Sequence, residues 1–115
     1  LEKQDSTENP ELLIHAFFKD FPDYNTEEQK RIADAWNFLV EKSGDKLSTC
    51  GQPFYLHPMR VARIIASAKM DVDGIIAGFF HSLPEKLGVP IEEIEKNFGK
   101  SVASLVAGAT KITNL

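Results

Sequence analysis

Three side chains have the types and positions for acid–base or metal chemistry: His57, His81 and Glu85. His81 and Glu85 stand four residues apart, which places them on one face of a helix that runs through both. His57 stands four residues before Val61, at the head of the apolar series Val61, Ile64, Ile65 and Ala68, so its ring is expected to point inward. Two inward imidazoles on neighbouring helices suit a transition-metal ion, and they suit a hydrogen-bonded core equally well. A catalytic divalent site needs at least three protein ligands and an open position, so the pair alone does not make one. His15 has no candidate ligand near it in sequence and reads as a surface or half-buried histidine. Cys50 is the only cysteine and has no neighbouring base to make it a reactive thiol. It cannot close a disulfide within the chain, which fits a reducing, cytoplasmic setting.

The elements that must hold these residues read as consecutive helices. Asn9-Pro10 supplies a capping side chain and then a proline at the first helical position, followed by Leu12, Leu13, Ala16 and Phe17. Asn25 with Glu28 three residues on has the form of a capping box, and Ile32, Ala35, Trp36, Leu39 and Val40 recur at helical spacing after it. Gly44 is the natural stop. Residues 44–56 carry Gly44, Gly51 and Pro53 without any period, so they form a loop that ends where a helix restarts at His57-Pro58. Asp71 caps the next helix, whose apolar face is Ile75, Ile76, Phe79, Phe80 and Leu83. Pro84 disturbs the end of that helix by removing a backbone donor. Pro90 opens a short helix from Ile91 to Phe98, Gly99 closes it, and Val102, Leu105, Val106 and Ala109 mark a last one. The expected fold is all-α, a compact multi-helix bundle of about six helices.

Composition narrows the function classes. The 115 residues suffice for one domain, here residues 10–115, behind a loose polar leader at residues 1–9. Seventeen acidic against thirteen basic residues give a net charge of −4, which argues against direct nucleic-acid binding through phosphate neutralisation. No apolar run approaches the roughly 20 residues that span a bilayer, so no membrane partner is expected.

The loop and the helix after it carry a resemblance. Gly51-Gln52-Pro53-Phe54-Tyr55-Leu56-His57-Pro58-Met59-Arg60-Val61-Ala62 resembles the first motif of the HD-type hydrolase domain of RelA/SpoT proteins. Met70-Asp71 and the helix ending in His81 are similar to the second motif. Phe98-Gly99, Val102, Leu105-Val106 and Gly108-Ala109-Thr110-Lys111 are similar to that family's Phe-Gly-x-x-Val-x-x-Leu-Val-x-Gly-Val-Thr-Lys segment. The likeness covers roughly residues 25–115, with the motifs in the family's order.

The resemblance implies an HD-domain fold and, in active members, removal of the 3′-diphosphate from (p)ppGpp with Mn²⁺. His57 and His81 then correspond to the first two metal ligands. The third is an Asp directly after the second His, and here that position is Ser82. A neutral hydroxyl is a poor replacement for a carboxylate on a hard divalent ion. The family's acidic pair appears as Glu85-Lys86, so Glu85 would be the catalytic residue if the site were active, and Lys86 reverses a charge. At about 6 Å and an effective dielectric near 20, an ammonium beside a dication costs roughly 5 kcal/mol as an upper figure. The Arg-Lys pair that contacts the guanine nucleotide in active relatives is replaced by Ser48 and Thr49, leaving Ser48, Thr49, Gly51 and Tyr55 as the vestige of a nucleotide pocket. A fourth ligand, an Asp on a later helix, corresponds to a position past Leu115, and an N-terminal piece of a longer protein is expected.

The resulting expectation is a degenerate, inactive (p)ppGpp hydrolase domain with no metal cofactor. It would be a structural or regulatory neighbour of the synthetase domain in a RelA/SpoT-type GTP pyrophosphokinase, which transfers diphosphate from ATP to GTP or GDP. Two alternatives stand beside it. One is an active Mn²⁺-dependent (p)ppGpp 3′-pyrophosphohydrolase with an altered site, which would bind guanine nucleotide. The other is a helical interaction module with no alarmone role.

Overall fold

A computed structural model describes residues 9–113, with side chains through Ala109. The leader expected at residues 1–9 lies outside the described residues except for Asn9, as do the side chains of Thr110 and Lys111. The elements are α1 (Pro10–Asp20), α2 (Thr26–Ser43), α3 (Leu56–Ser67), α4 (Val72–Phe80), a π-helical turn (Leu83–Leu87), α5 (Ile91–Phe98) and α6 (Lys100–Thr113). Among the described residues there is no strand, and a single antiparallel bridge joins Leu47 to Pro53. The all-α reading with six helices holds.

The helix ends form where their capping chemistry places them. Asn9 accepts from the N–H groups of Glu11 and Leu12 at 2.8 and 3.3 Å. Asn25 accepts from the Glu28 N–H at 2.8 Å while Glu28 accepts from the Asn25 N–H at 2.9 Å, completing the capping box. Each such cap contributes about 1 kcal/mol. Asp71 caps α4 through the Gly74 N–H at 3.0 Å. These bonds satisfy donors that a helix leaves open at its first turn.

α4 lies at the centre of the bundle, with α2, α3 and α6 packed around it. Its Ile75, Ile76, Phe79 and Phe80 are wholly buried, together with Leu83 just beyond. Phe79 is the hub: its ring centroid is 5.4 Å from Trp36 of α2 and 6.5 Å from Phe17 of α1. A second aromatic group joins Phe38, Phe80 and Phe98, with centroids 4.9–5.5 Å apart. Trp36 also donates its Nε1–H to the Pro10 carbonyl at 2.9 Å, which fastens the start of α1 to α2.

The buried face of α3 differs from the one expected. Ile64 is 70% exposed, Ala68 is exposed, and Val61 and Ile65 are only half-buried. Leu56, Met59, Ala62 and Ala66 point into the core instead. The reason is Gly78 on α4. A Cβ built there would stand 3.6 Å from Ala62 Cα and 2.6 Å from Ile65 Cδ1, so the two helices approach through their smallest residues. Close contact of small side chains sets the rotation of α3, and its β-branched residues flank the contact. A similar shift occurs at α6, where Ala103 is buried and Leu105 is 47% exposed.

Arg31 of α2 donates to Asp73 in the first turn of α4 at 2.6 Å. The Arg31 hydrogen bond, aided by one from Ser101 and opposed by burial, holds the Asp73 carboxyl below its ordinary range. A depressed folded-state value means the contribution is complete above the unfolded carboxylate range and is lost as pH falls through the folded value. Asp73→Asn is therefore expected to lower stability at neutral pH by up to about 1 kcal/mol. Calorimetric melting across pH should show that difference shrinking to nothing in strong acid. A difference independent of pH would contradict the assignment.

Candidate functional site

The loop between α2 and α3 folds back on itself before it delivers the first histidine. Phe54 N–H donates to the Lys46 carbonyl at 3.0 Å and Ser48 N–H to the Gln52 carbonyl at 2.7 Å, around the Leu47–Pro53 bridge. Gly51 sits at the turn with φ of 86°, a backbone angle other residues rarely adopt. The fold-back sets Ser48, Thr49 and Cys50 along the mouth of a cavity of about 600 Å³. His57 and Arg60 of α3 form a second wall. His81, Ser82, Glu85 and Lys86, from the end of α4 and the turn after it, form the third.

The histidine rings meet edge to face, with centroids 5.5 Å apart. Their burial corrects the sequence expectation: His57 is exposed rather than inward, because the Met59–Ala62–Ala66 stripe turns its face of α3 toward the cavity. His81 is half-buried, and its Nδ1–H donates to the Gly78 carbonyl at 2.8 Å. A carbonyl can only accept, so that bond fixes the tautomer and leaves Nε2 as the remaining ring nitrogen. Desolvation, with the charges of His81 and Arg60 adding to it, holds the His57 imidazole below its ordinary value.

Past His81 the α-helix does not continue. Pro84 has no N–H to give to the Phe80 carbonyl, and the chain rewinds as a wider turn closed by the Gly88 N–H on the Leu83 carbonyl. His81 and Glu85 thus line the same cavity without sharing an uninterrupted helical face. Ser82 is half-buried, and Glu85 and Lys86 are exposed.

The other sequence-derived positions divide. Ser48 and Thr49 line the cavity, whereas Gly51 and Tyr55 do not. Tyr55 is half-buried and packs edge to face on Trp36 at 5.6 Å, against the core. Cys50 Sγ lies 3.2 Å from Ser48 Oγ. The Ser48 hydrogen bond above all, then the Gln52 backbone and the Arg60 charge, hold the thiol below its ordinary value. His15 is exposed on α1, far in sequence from these elements. Lys46 and Arg60 line the cavity although the sequence reading passed over them. Arg60 follows His57 by three residues on the same helix, which is the signal that would have found it.

Residues 35–115 match a family model described as HD domain. The chain belongs to the HD-domain family. Its relatives place this HD domain with the RelA/SpoT proteins. It is 40% identical over 83 residues to a guanosine-3′,5′-bis(diphosphate) 3′-pyrophosphohydrolase of Aquifex aeolicus, a match covering 72% of this chain and 12% of the relative. It is 33% identical over 93 residues to the bifunctional (p)ppGpp synthase/hydrolase SpoT of Escherichia coli, covering 80% of this chain and 13% of that protein. A putative chloroplastic GTP diphosphokinase of Oryza sativa is 36% identical over 90 residues, 77% of this chain and 10% of the relative. The chain spans about a tenth of the length of these curated relatives.

Two imidazoles face the cavity, and among the described residues no three His, Cys, Asp or Glu side chains come together to hold an ion. Ser82 follows His81 with a hydroxyl, and Lys86 adds a cation next to Glu85. Among the described residues no helix is long and apolar enough to cross a membrane.

Proposed function

We propose that this HD domain is a degenerate (p)ppGpp hydrolase domain that acts structurally or as a regulator in guanosine tetraphosphate metabolism. The observation that carries the reading is the wall formed by His81, Ser82, Glu85 and Lys86, where a hydroxyl and an ammonium stand beside the two imidazoles. The loop wall of the cavity supports it, since Ser48 and Thr49 offer hydroxyls where the resemblance implies an Arg-Lys pair. The names of the relatives, a bifunctional synthase/hydrolase and a GTP diphosphokinase among them, favour a synthetase domain as its neighbour in the parent chain.

One observation favours a second reading, a working Mn²⁺-dependent pyrophosphohydrolase. His81 keeps the Nδ1–carbonyl bond that orients a metal-ligating imidazole, and His57 stands beside it. Glu85 would then act as the base. A titration of Mn²⁺ followed by electron paramagnetic resonance separates the two. The degenerate reading expects no saturable loss of the free-ion signal, and one tight site per chain would overturn it.

A further inference from the structure

We propose that the cavity binds a diphosphate group directly on its own cations, without a metal ion. This rests on the reading of the hydrolase site as degenerate and names the ligand class that the altered site suits. Three permanent cations, Lys46, Arg60 and Lys86, line the cavity from three separate elements, against one carboxylate, Glu85. The surplus is two positive charges even with both imidazoles neutral. None of these four side chains forms an ion pair among the described residues. The ion pairs that do form lie elsewhere, with Lys30 on Asp34, Arg31 on Asp73, Lys42 on Glu93 and Arg63 on Asp20.

The chain carries a net charge of −4, yet among the described residues three cations stand without an ion pair around one concavity. Mutual repulsion there disfavours the empty cavity, and an anion relieves it. The donor set matches phosphoryl oxygens. The Arg60 guanidinium offers a planar fork, Lys46 and Lys86 offer point charges, and Ser48, Thr49 and Ser82 offer hydroxyls. Lys86 occupies the wall where a metal-using site needs negative charge, so one substitution both repels a dication and attracts the anion that the dication would have held. Several cations spread over three walls suit a diphosphate better than a monophosphate, because two phosphoryl groups reach more of them at once. The volume of about 600 Å³ leaves room for a nucleoside on the diphosphate.

The test is a calorimetric titration of inorganic pyrophosphate into the 115-residue chain, with EDTA present and no divalent ion, run beside GDP and ADP. Saturable binding that weakens as sodium chloride rises is expected. Lys86→Glu and Arg60→Gln, both at exposed positions, should each weaken it by about tenfold while the protein still melts cooperatively. Tighter binding of either nucleotide than of pyrophosphate assigns a nucleoside-borne diphosphate, and equal binding assigns the free one. A flat titration into millimolar ligand with cooperatively melting protein overturns the proposal, as does binding unchanged in both variants. Mn²⁺-dependent cleavage of ppGpp would instead overturn the degenerate reading while leaving metal-free binding a separate result.

Discussion

Phe79→Ala is expected to cost about 3–5 kcal/mol, a large part of the roughly 5–15 kcal/mol that holds a domain of this size folded. The phenyl ring is wholly buried and is the one that touches both Trp36 and Phe17, so its removal opens a void between α1, α2 and α4. Surrounding side chains cannot collapse into that void without moving whole helices. His81 follows two residues later, so the loss should also loosen the wall that carries it. Urea denaturation followed by circular dichroism measures the effect. Ile64→Ala is the matched control, because that side chain is 70% exposed and should change stability by no more than about 0.5 kcal/mol. A cost below that of an ordinary surface change at Phe79 would contradict its place as the hub.

The second large effect concerns the metal. Ser82→Asp combined with Lys86→Asp is expected to raise Mn²⁺ affinity by about a hundredfold or more, equivalent to roughly 3 kcal/mol. The first change supplies a carboxylate directly after His81. The second removes an ammonium whose repulsion of a dication is comparable to that whole gain. Both positions line the cavity with His57 and His81, so the new carboxylates join two imidazoles already in contact. Thermal melting reports the result independently of catalysis, since an ion that binds only the folded chain raises the transition. Mn²⁺ should raise the melting temperature of the double variant and leave that of the parent unchanged. An equal rise in both would mean that Ser82 and Lys86 do not weaken the site.

Much of this architecture is legible in the sequence because it rests on local chemistry. The capping box of Asn25 and Glu28, the stop at Gly44 and the dense Ile75–Phe80 run each specify their element within a few residues. The rotation of α3 was not legible in that way. Val61, Ile64 and Ile65 are the larger apolar residues, and periodicity weighted by size selects them. The contact is decided by Gly78 on another helix, which favours Ala62 and Ala66. The exposure of His57 follows from the same rotation.

The site divides along the same line. His57, His81, Ser82, Glu85 and Lys86 stand out through motif spacing, and the fold brings them to one cavity. Lys46 joins them only because the α2–α3 loop folds back through the Leu47–Pro53 bridge, a contact with no short-range signature. Tyr55 went the other way, since its motif position gave no sign that its ring would close on Trp36.

The most direct test of the central claim is Mn²⁺-dependent release of diphosphate from ppGpp, measured on the full-length polypeptide that carries this sequence. The account predicts release no greater than in a metal-free control. Robust Mn²⁺-dependent release would contradict it, and would show that a hydroxyl at Ser82 and an ammonium at Lys86 are compatible with hydrolysis.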